Sequence, residues 1–155
     1  MDMFYYLRLM FINICYYFFS FFLIPYPFWF LKLFMYNNII IQIPCLYRNK
    51  TVSDNYKKFI MKSNGIKTFT ETLFVNEELY VLRKNDYPYN IGDNILHYVL
   101  WLKDKKNHDF NELNSIIKEQ IVVQFKVSKE FAFSENIYKN KSIPEVQHYH
   151  VFILK

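Results

Sequence analysis

Two imidazoles separated by a single residue, in QHYHVFIL (147–154), are the side chains of this sequence best suited to chemistry. Read as a strand, the stretch sends His148, His150 and Phe152 to one face and Tyr149, Val151 and Ile153 to the other. Imidazoles at close range perturb each other's proton affinity and can take a proton, attack a phosphorus centre or hold a metal. A third histidine, His97, lies in ILHYVLWL (95–102), where the same alternation groups it with Ile95, Val99 and Trp101. Three imidazoles converge if the two strands share that face. A lone histidine on an apolar strand is more often a hydrogen-bonded core residue, and His108, in KDKKNHD (103–109), reads as solvated.

The segment NDYPYNIGDN (85–94) is turn chemistry. Asn85, Asp86 and Asn90 are ordinary turn formers, while Pro88 between Tyr87 and Tyr89 also makes a rigid aromatic wall for a base or sugar. Other reaction classes lack their residues. Gly65 and Gly92 are isolated, so no glycine-rich phosphate loop exists, and a G-x-S-x-G elbow is absent. Cys15 and Cys45 both precede residue 47, so the rest of the chain has no cysteine nucleophile, cysteine metal knuckle or disulfide. Glu71, Glu77 and Glu78 belong to a polar stretch without catalytic pairing, and no cofactor motif is present. The net charge of +5 comes from scattered lysines and arginines rather than a basic, aromatic-interleaved face, which argues against nucleic acid as a partner.

The elements that must position these residues follow from periodicity. Asp54–Ser63 carries Tyr56, Phe59 and Ile60 at helical spacing and stops at Asn64 and Gly65. Leu79–Arg83 and Ile95–Lys103 read as a hairpin around the 85–94 loop. Asp109–Val127 is an amphipathic helix with Asp109 as cap, Glu112 at capping-box spacing, and a stripe of Phe110, Leu113, Ile116, Ile117 and Ile121. Phe131–Tyr138 and Val146–Leu154 complete the set as strands. The class is α+β, a mainly antiparallel sheet with one long amphipathic helix packed on it, preceded by an apolar N-terminal segment.

Residues 1–46 form that apolar leader, ahead of a single domain at 47–155. Between Arg8 and Lys32 run 23 uncharged residues, long enough at about 1.5 Å each to cross a bilayer, so residues 9–31 are a candidate transmembrane anchor. Pro25 and Pro27 shorten the unbroken apolar run to Leu9–Ile24. Lys32, Arg48, Lys50, Lys57 and Lys58 outweigh Arg8 and would leave the domain in the cytoplasm. The alternative is a cytoplasmic protein whose translation starts at Met35 or Met61. The 17 phenylalanines and 14 tyrosines, beside a single alanine, Ala132, fit an A/T-rich coding sequence, so aromatic richness alone is no sign of function.

Leu79–Ile153 resembles the N-acetylglucosamine-induced protein 1 family, through LRKNDYPYNIGDNILHYVLWLK and NKSIPEVQHYHVFI. Asn85, Asp86, Pro88, Tyr89, His97, Trp101, Ser142, His148, His150 and Val151 match that family's pattern. Tyr87 replaces its tryptophan, and the approach to Ser142 is shorter and less aromatic. The succession of strand, N-x-x-P-Y-like loop, strand, helix, strand and H-x-H strand is also similar to the histidine-triad superfamily of nucleotide hydrolases and transferases. That resemblance implies His150 as a nucleophile on phosphorus, His148 as its orienting neighbour, and Asn85, Tyr87 and Tyr89 as a nucleoside wall, with Phe152 where a third histidine would stand.

Three readings follow. The domain binds, hydrolyses or transfers a nucleotide or sugar phosphate, with His150 and His148 catalytic and Asn85, Asp86, Tyr87, Pro88, Tyr89, His97 and Trp101 binding. Alternatively it is a non-catalytic binding or scaffold domain, membrane-tethered through residues 9–31. In the third reading His97, His148 and His150, with Asp86 as a further ligand, hold a divalent metal.

Overall fold

A computed structural model describes residues 46–62, 65–75, 78–104, 106–135 and 141–155, together with 7, 10, 11, 13–15, 18 and 28–32. Its elements in chain order are α1 (Phe28–Lys32), α2 (Lys50–Met61), α3 (Gly65–Leu73), β1 (Tyr80–Lys84), β2 (Ile95–Leu102), α4 (Phe110–Phe125), β3 (Phe131–Ser134) and β4 (Gln147–Leu154). The strands form one antiparallel sheet in the order β1-β2-β4-β3. The class read from the periodicity, α+β with an antiparallel sheet and one long helix, is the one observed.

The central strands β2 and β4 pair with His97 opposite Phe152, Val99 opposite His150 and Trp101 opposite His148. Directly opposed residues share a face, so one surface of the sheet gathers His97, Val99, Trp101, His148, His150 and Phe152. The other surface, with Tyr98, Leu100, Leu102, Tyr149, Val151 and Ile153, is covered by Leu113, Ile117 and Ile121 of α4. All three helix residues are at most 1% exposed. Asp109 caps α4 as its spacing predicts, its carboxylate accepting from the Glu112 amide at 2.9 Å. Glu112 does not complete the capping box; its carboxylate turns to Lys106 and His108 instead.

The histidine-bearing face has its own cover. Leu46, Tyr89, Ile95, Ala132, Phe152 and Leu31 of α1 form one apolar cluster over its lower part. Leu73 of α3, Val99, Trp101 and Ile143 form another at its upper part. Helix α3 is absent from the sequence reading, which treats Gly65 as a helix stop. Its Ile66, Phe69 and Leu73, at i, i+3 and i+7, give it an apolar stripe that packs on the sheet. Helix α2 begins a turn earlier than its apolar spacing indicates, because the Asn49 side chain accepts from the Val52 amide at 3.0 Å and caps it there.

Most of the 9–31 anchor proposed from the sequence lies outside the described residues. Its last described turn, α1, contributes the buried Leu31 to the sheet cluster. Among the described residues no helix is long and apolar enough to cross a membrane.

Candidate functional site

The segment that precedes α2 is pinned across the 85–91 loop. Asn90 donates its amide to the Tyr47 carbonyl at 2.8 Å and its side-chain amide to the Tyr47 hydroxyl at 2.6 Å. This strap carries Arg48 into the site. The Arg48 Nε donates to the Tyr87 carbonyl at 2.9 Å, and the guanidinium lies 4.1 Å from the Tyr56 ring centroid and 4.5 Å from that of Tyr89. Its two terminal nitrogens have no hydrogen bond, and no carboxylate pairs with it, among the described residues. The result is a cation held on three sides with its fork unpaired.

Arg48 lines a cavity with about 760 Å³ of empty space, part of it open to solvent, between the sheet, α2, α3 and the loops at 85–87 and 142–143. Tyr56, Phe59, Phe69, Tyr87 and Trp101 are its aromatic wall. Tyr87 packs on Tyr56 and Phe59 at 5.3 and 5.4 Å between centroids, and Phe69 meets Trp101 edge-on at 5.2 Å. Arg83 and Lys84, the end of β1, add two more cations. Against them stands Asp86, which pairs with Arg83 at 3.2 Å where both side chains are exposed. Ser142 accepts a hydrogen bond from the Tyr56 hydroxyl, tying α2 to the loop before β4.

The three sheet histidines do converge, but they are not equivalent. The Tyr89 amide donates to His97 Nδ1 at 3.1 Å, and an amide can only donate. In the neutral ring His97 Nε2 therefore carries the proton and gives it to His150 Nδ1, 2.9 Å away. That leaves the His150 proton on Nε2, 3.5 Å from the Tyr89 hydroxyl. Tyr89 stacks on His97 with 5.0 Å between centroids, so the pair and the tyrosine close on themselves. Burial pushes His97 down to about 3, with the Arg48 charge acting the same way. Burial lowers His150 too, helped by His97, His148 and Arg48.

His148 is held differently. Its Nδ1 donates to the Val146 carbonyl at 2.8 Å, and its ring lies over Trp101 with centroids 4.7 Å apart. Burial lowers it as well, partly opposed by the Val146 hydrogen bond.

Of the sequence-derived site residues, Asn85, Asp86, Tyr87, Trp101, His148 and His150 line the cavity. His97 and Tyr89 lie behind it as the buried support of His150, and Pro88 does not line it. Asn85 shapes the loop, accepting from the Tyr87 amide at 2.9 Å and donating its own amide to the His97 carbonyl. His108 is not solvated: its side chain is fully buried, 3.0 Å from Asp104 and 3.1 Å from Glu112, away from this cavity. The physical reason is visible in the spacing, since a carboxylate lies four residues to either side of it. Among the described residues no three His, Cys, Asp or Glu side chains are placed to hold a metal ion, and the His97–His150 hydrogen bond occupies nitrogens such a site would need.

Arg48, Tyr56, Phe59 and Phe69 are cavity residues that the sequence reading did not place there. Tyr56 and Phe59 do show as a pair at i, i+3, but that spacing reads as a core stripe, whereas α2 buries no side chain. For Arg48 no local signal exists.

The crystal structure of HTC1 shares this fold, with 20% identity and a TM-score of 0.53 over 71% of this chain and 76% of that one. No curated protein matches the chain. A family model matches residues 47–154, which include both central strands, the loop between β1 and β2 and the H-x-H motif: the chain belongs to the family of proteins of unknown function DUF3605.

Proposed function

We propose that this domain binds a small phosphorylated metabolite, a nucleotide or a sugar phosphate, in the cavity over the histidine face. The observation that carries the reading is Arg48: a guanidinium anchored through Nε, flanked by two tyrosines, with a fork that is unpaired among the described residues, in the wall of an aromatic cavity. Such a fork matches the paired oxygens of a phosphate. Arg83 and Lys84 supply further positive charge. The exposed Arg83–Asp86 pair holds Arg83 weakly and so leaves it available to a ligand. Tyr56, Phe59 and Tyr87 offer ring faces for a base or a sugar. The resemblance to the histidine-triad superfamily supports a nucleotide.

Calorimetric titration of the full chain with AMP, glucose 6-phosphate and inorganic phosphate, with adenosine and glucose as controls, tests this. The phosphorylated compounds should bind and the controls should not. Arg48→Ala should weaken binding about 10- to 100-fold, the range for a lost hydrogen bond between charged groups. Equal binding of adenosine and AMP, or an Arg48→Ala protein as tight as wild type, would end the reading.

A non-catalytic binding domain is the second reading. It is favoured by the closed Tyr89–His97–His150 network, which has the satisfied hydrogen bonding of a structural core.

A further inference from the structure

We propose that His148 is the acid–base residue of this cavity, its Nε2 taking the proton of a water molecule that attacks a bound phosphate ester; this rests on the anion-binding reading above.

The assignment follows from which nitrogens are already occupied. A carbonyl oxygen can only accept, so the 2.8 Å contact with Val146 fixes the proton of neutral His148 on Nδ1 and leaves a lone pair on Nε2. That nitrogen makes no hydrogen bond among the described residues. Although His148 is only 6% exposed, its Nε2 is not among the fully buried unpaired polar atoms, so it reaches the cavity that the residue lines. Trp101 on one side and the edge of His150, 6.0 Å away between centroids, hold the ring in place. His150 is arranged the opposite way, with a proton on Nε2 and its Nδ1 lone pair taken by His97. The lone pair that can accept a substrate proton therefore belongs to His148.

The step balances without a redox partner. The water oxygen forms a bond to phosphorus while its proton passes to His148 Nε2. The phosphorus–oxygen bond opposite the attacking water breaks, the departing oxygen takes a proton from solvent at the open side of the cavity, and the imidazolium gives its own proton to solvent, leaving an alcohol and phosphate. Arg48, Arg83 and Lys84 offset the charge on the phosphoryl oxygens.

Two measurements on the full chain decide it. Long-range proton–nitrogen correlation spectra of ¹⁵N-labelled protein read each tautomer; His148 should carry its proton on Nδ1, and His97 and His150 theirs on Nε2. Hydrolysis of p-nitrophenyl phosphate and its bis ester should fall about 10²- to 10⁴-fold in His148→Gln, while inorganic phosphate binds that variant within about threefold of wild type, since His148 is assigned no share of ground-state binding. Reversed tautomers, an undiminished rate in His148→Gln, or a wild type that binds phosphate yet cleaves neither ester would overturn the proposal. A wild type that binds no phosphate at all would remove the anion-binding reading and this one with it.

Discussion

At the scale of single residues, the geometry of Arg48 separates charge from shape. Its Nε is committed to the Tyr87 carbonyl and its plane lies against Tyr56 and Tyr89, so only the terminal fork faces outward. Lysine in this place would keep the charge but lose the anchor, the stacking and the bidentate geometry. Arg48→Lys should therefore bind AMP nearly as poorly as Arg48→Ala, within about threefold, and calorimetry would show it; recovery to wild-type affinity would mean that charge alone matters. The face shared by His97, His148 and His150 was legible in the sequence, because strand alternation is a local property. Arg48 was not legible, since its anchor is 39 residues away and only the fold brings the two together. The division of labour between His148 and His150 was hidden for the same reason. It depends on which carbonyl, amide or imidazole meets each nitrogen, and one of those partners, His97, is 53 residues from His150.

Elements were more readable than contacts, and their errors have local causes. Helix α4 was announced by its cap and stripe, and it is where the sequence reading places it, ending at Phe125. Helix α3 was masked by Gly65, which reads as a stop yet is the first residue of a new helix. The stripe of Ile66, Phe69 and Leu73 was present but too short to outweigh that signal. The end of α4 holds a cost that sequence alone does not reveal. Lys126 adopts a left-handed conformation at φ 61°, where its amide donates to the Val122 carbonyl, a position that favours glycine. A residue with a Cβ pays roughly 1 kcal/mol there, and glycine gives back part of that through its looser unfolded chain. Lys126→Gly should stabilise the protein by about 0.5 kcal/mol, read as a higher urea midpoint with unchanged slope. A lower midpoint would mean that the lysine side chain contributes something the backbone argument omits.

For the molecule as a whole, a sheet face carrying buried neutral imidazoles makes stability depend on pH. Unfolded histidine titrates near 6.5, whereas folded His97 is pushed down to about 3 by burial and by the Arg48 charge. His150 and His148 are lowered as well, by burial first. The folded state thus binds fewer protons than the unfolded chain throughout that interval. The contribution of His97 is complete above pH 6.5 and is lost as pH falls, at about 1.4 kcal/mol per unit, until its folded value near 3 is reached. By pH 5 the cost from His97 alone is about 2 kcal/mol, and the other two add to it in the same direction. Between pH 7.5 and 5.0 the lowered Glu112 carboxylate, with a reference value of 4.5, stays largely ionised in both states and adds little to this loss. Urea unfolding at pH 7.5 and 5.0 should therefore show a clearly lower midpoint at the acid end, and His97→Asn, if it folds, should have a shallower dependence. Equal midpoints at the two pH values would mean that the imidazoles take up protons within the fold, and the tautomers derived for His97 and His150 would then be wrong.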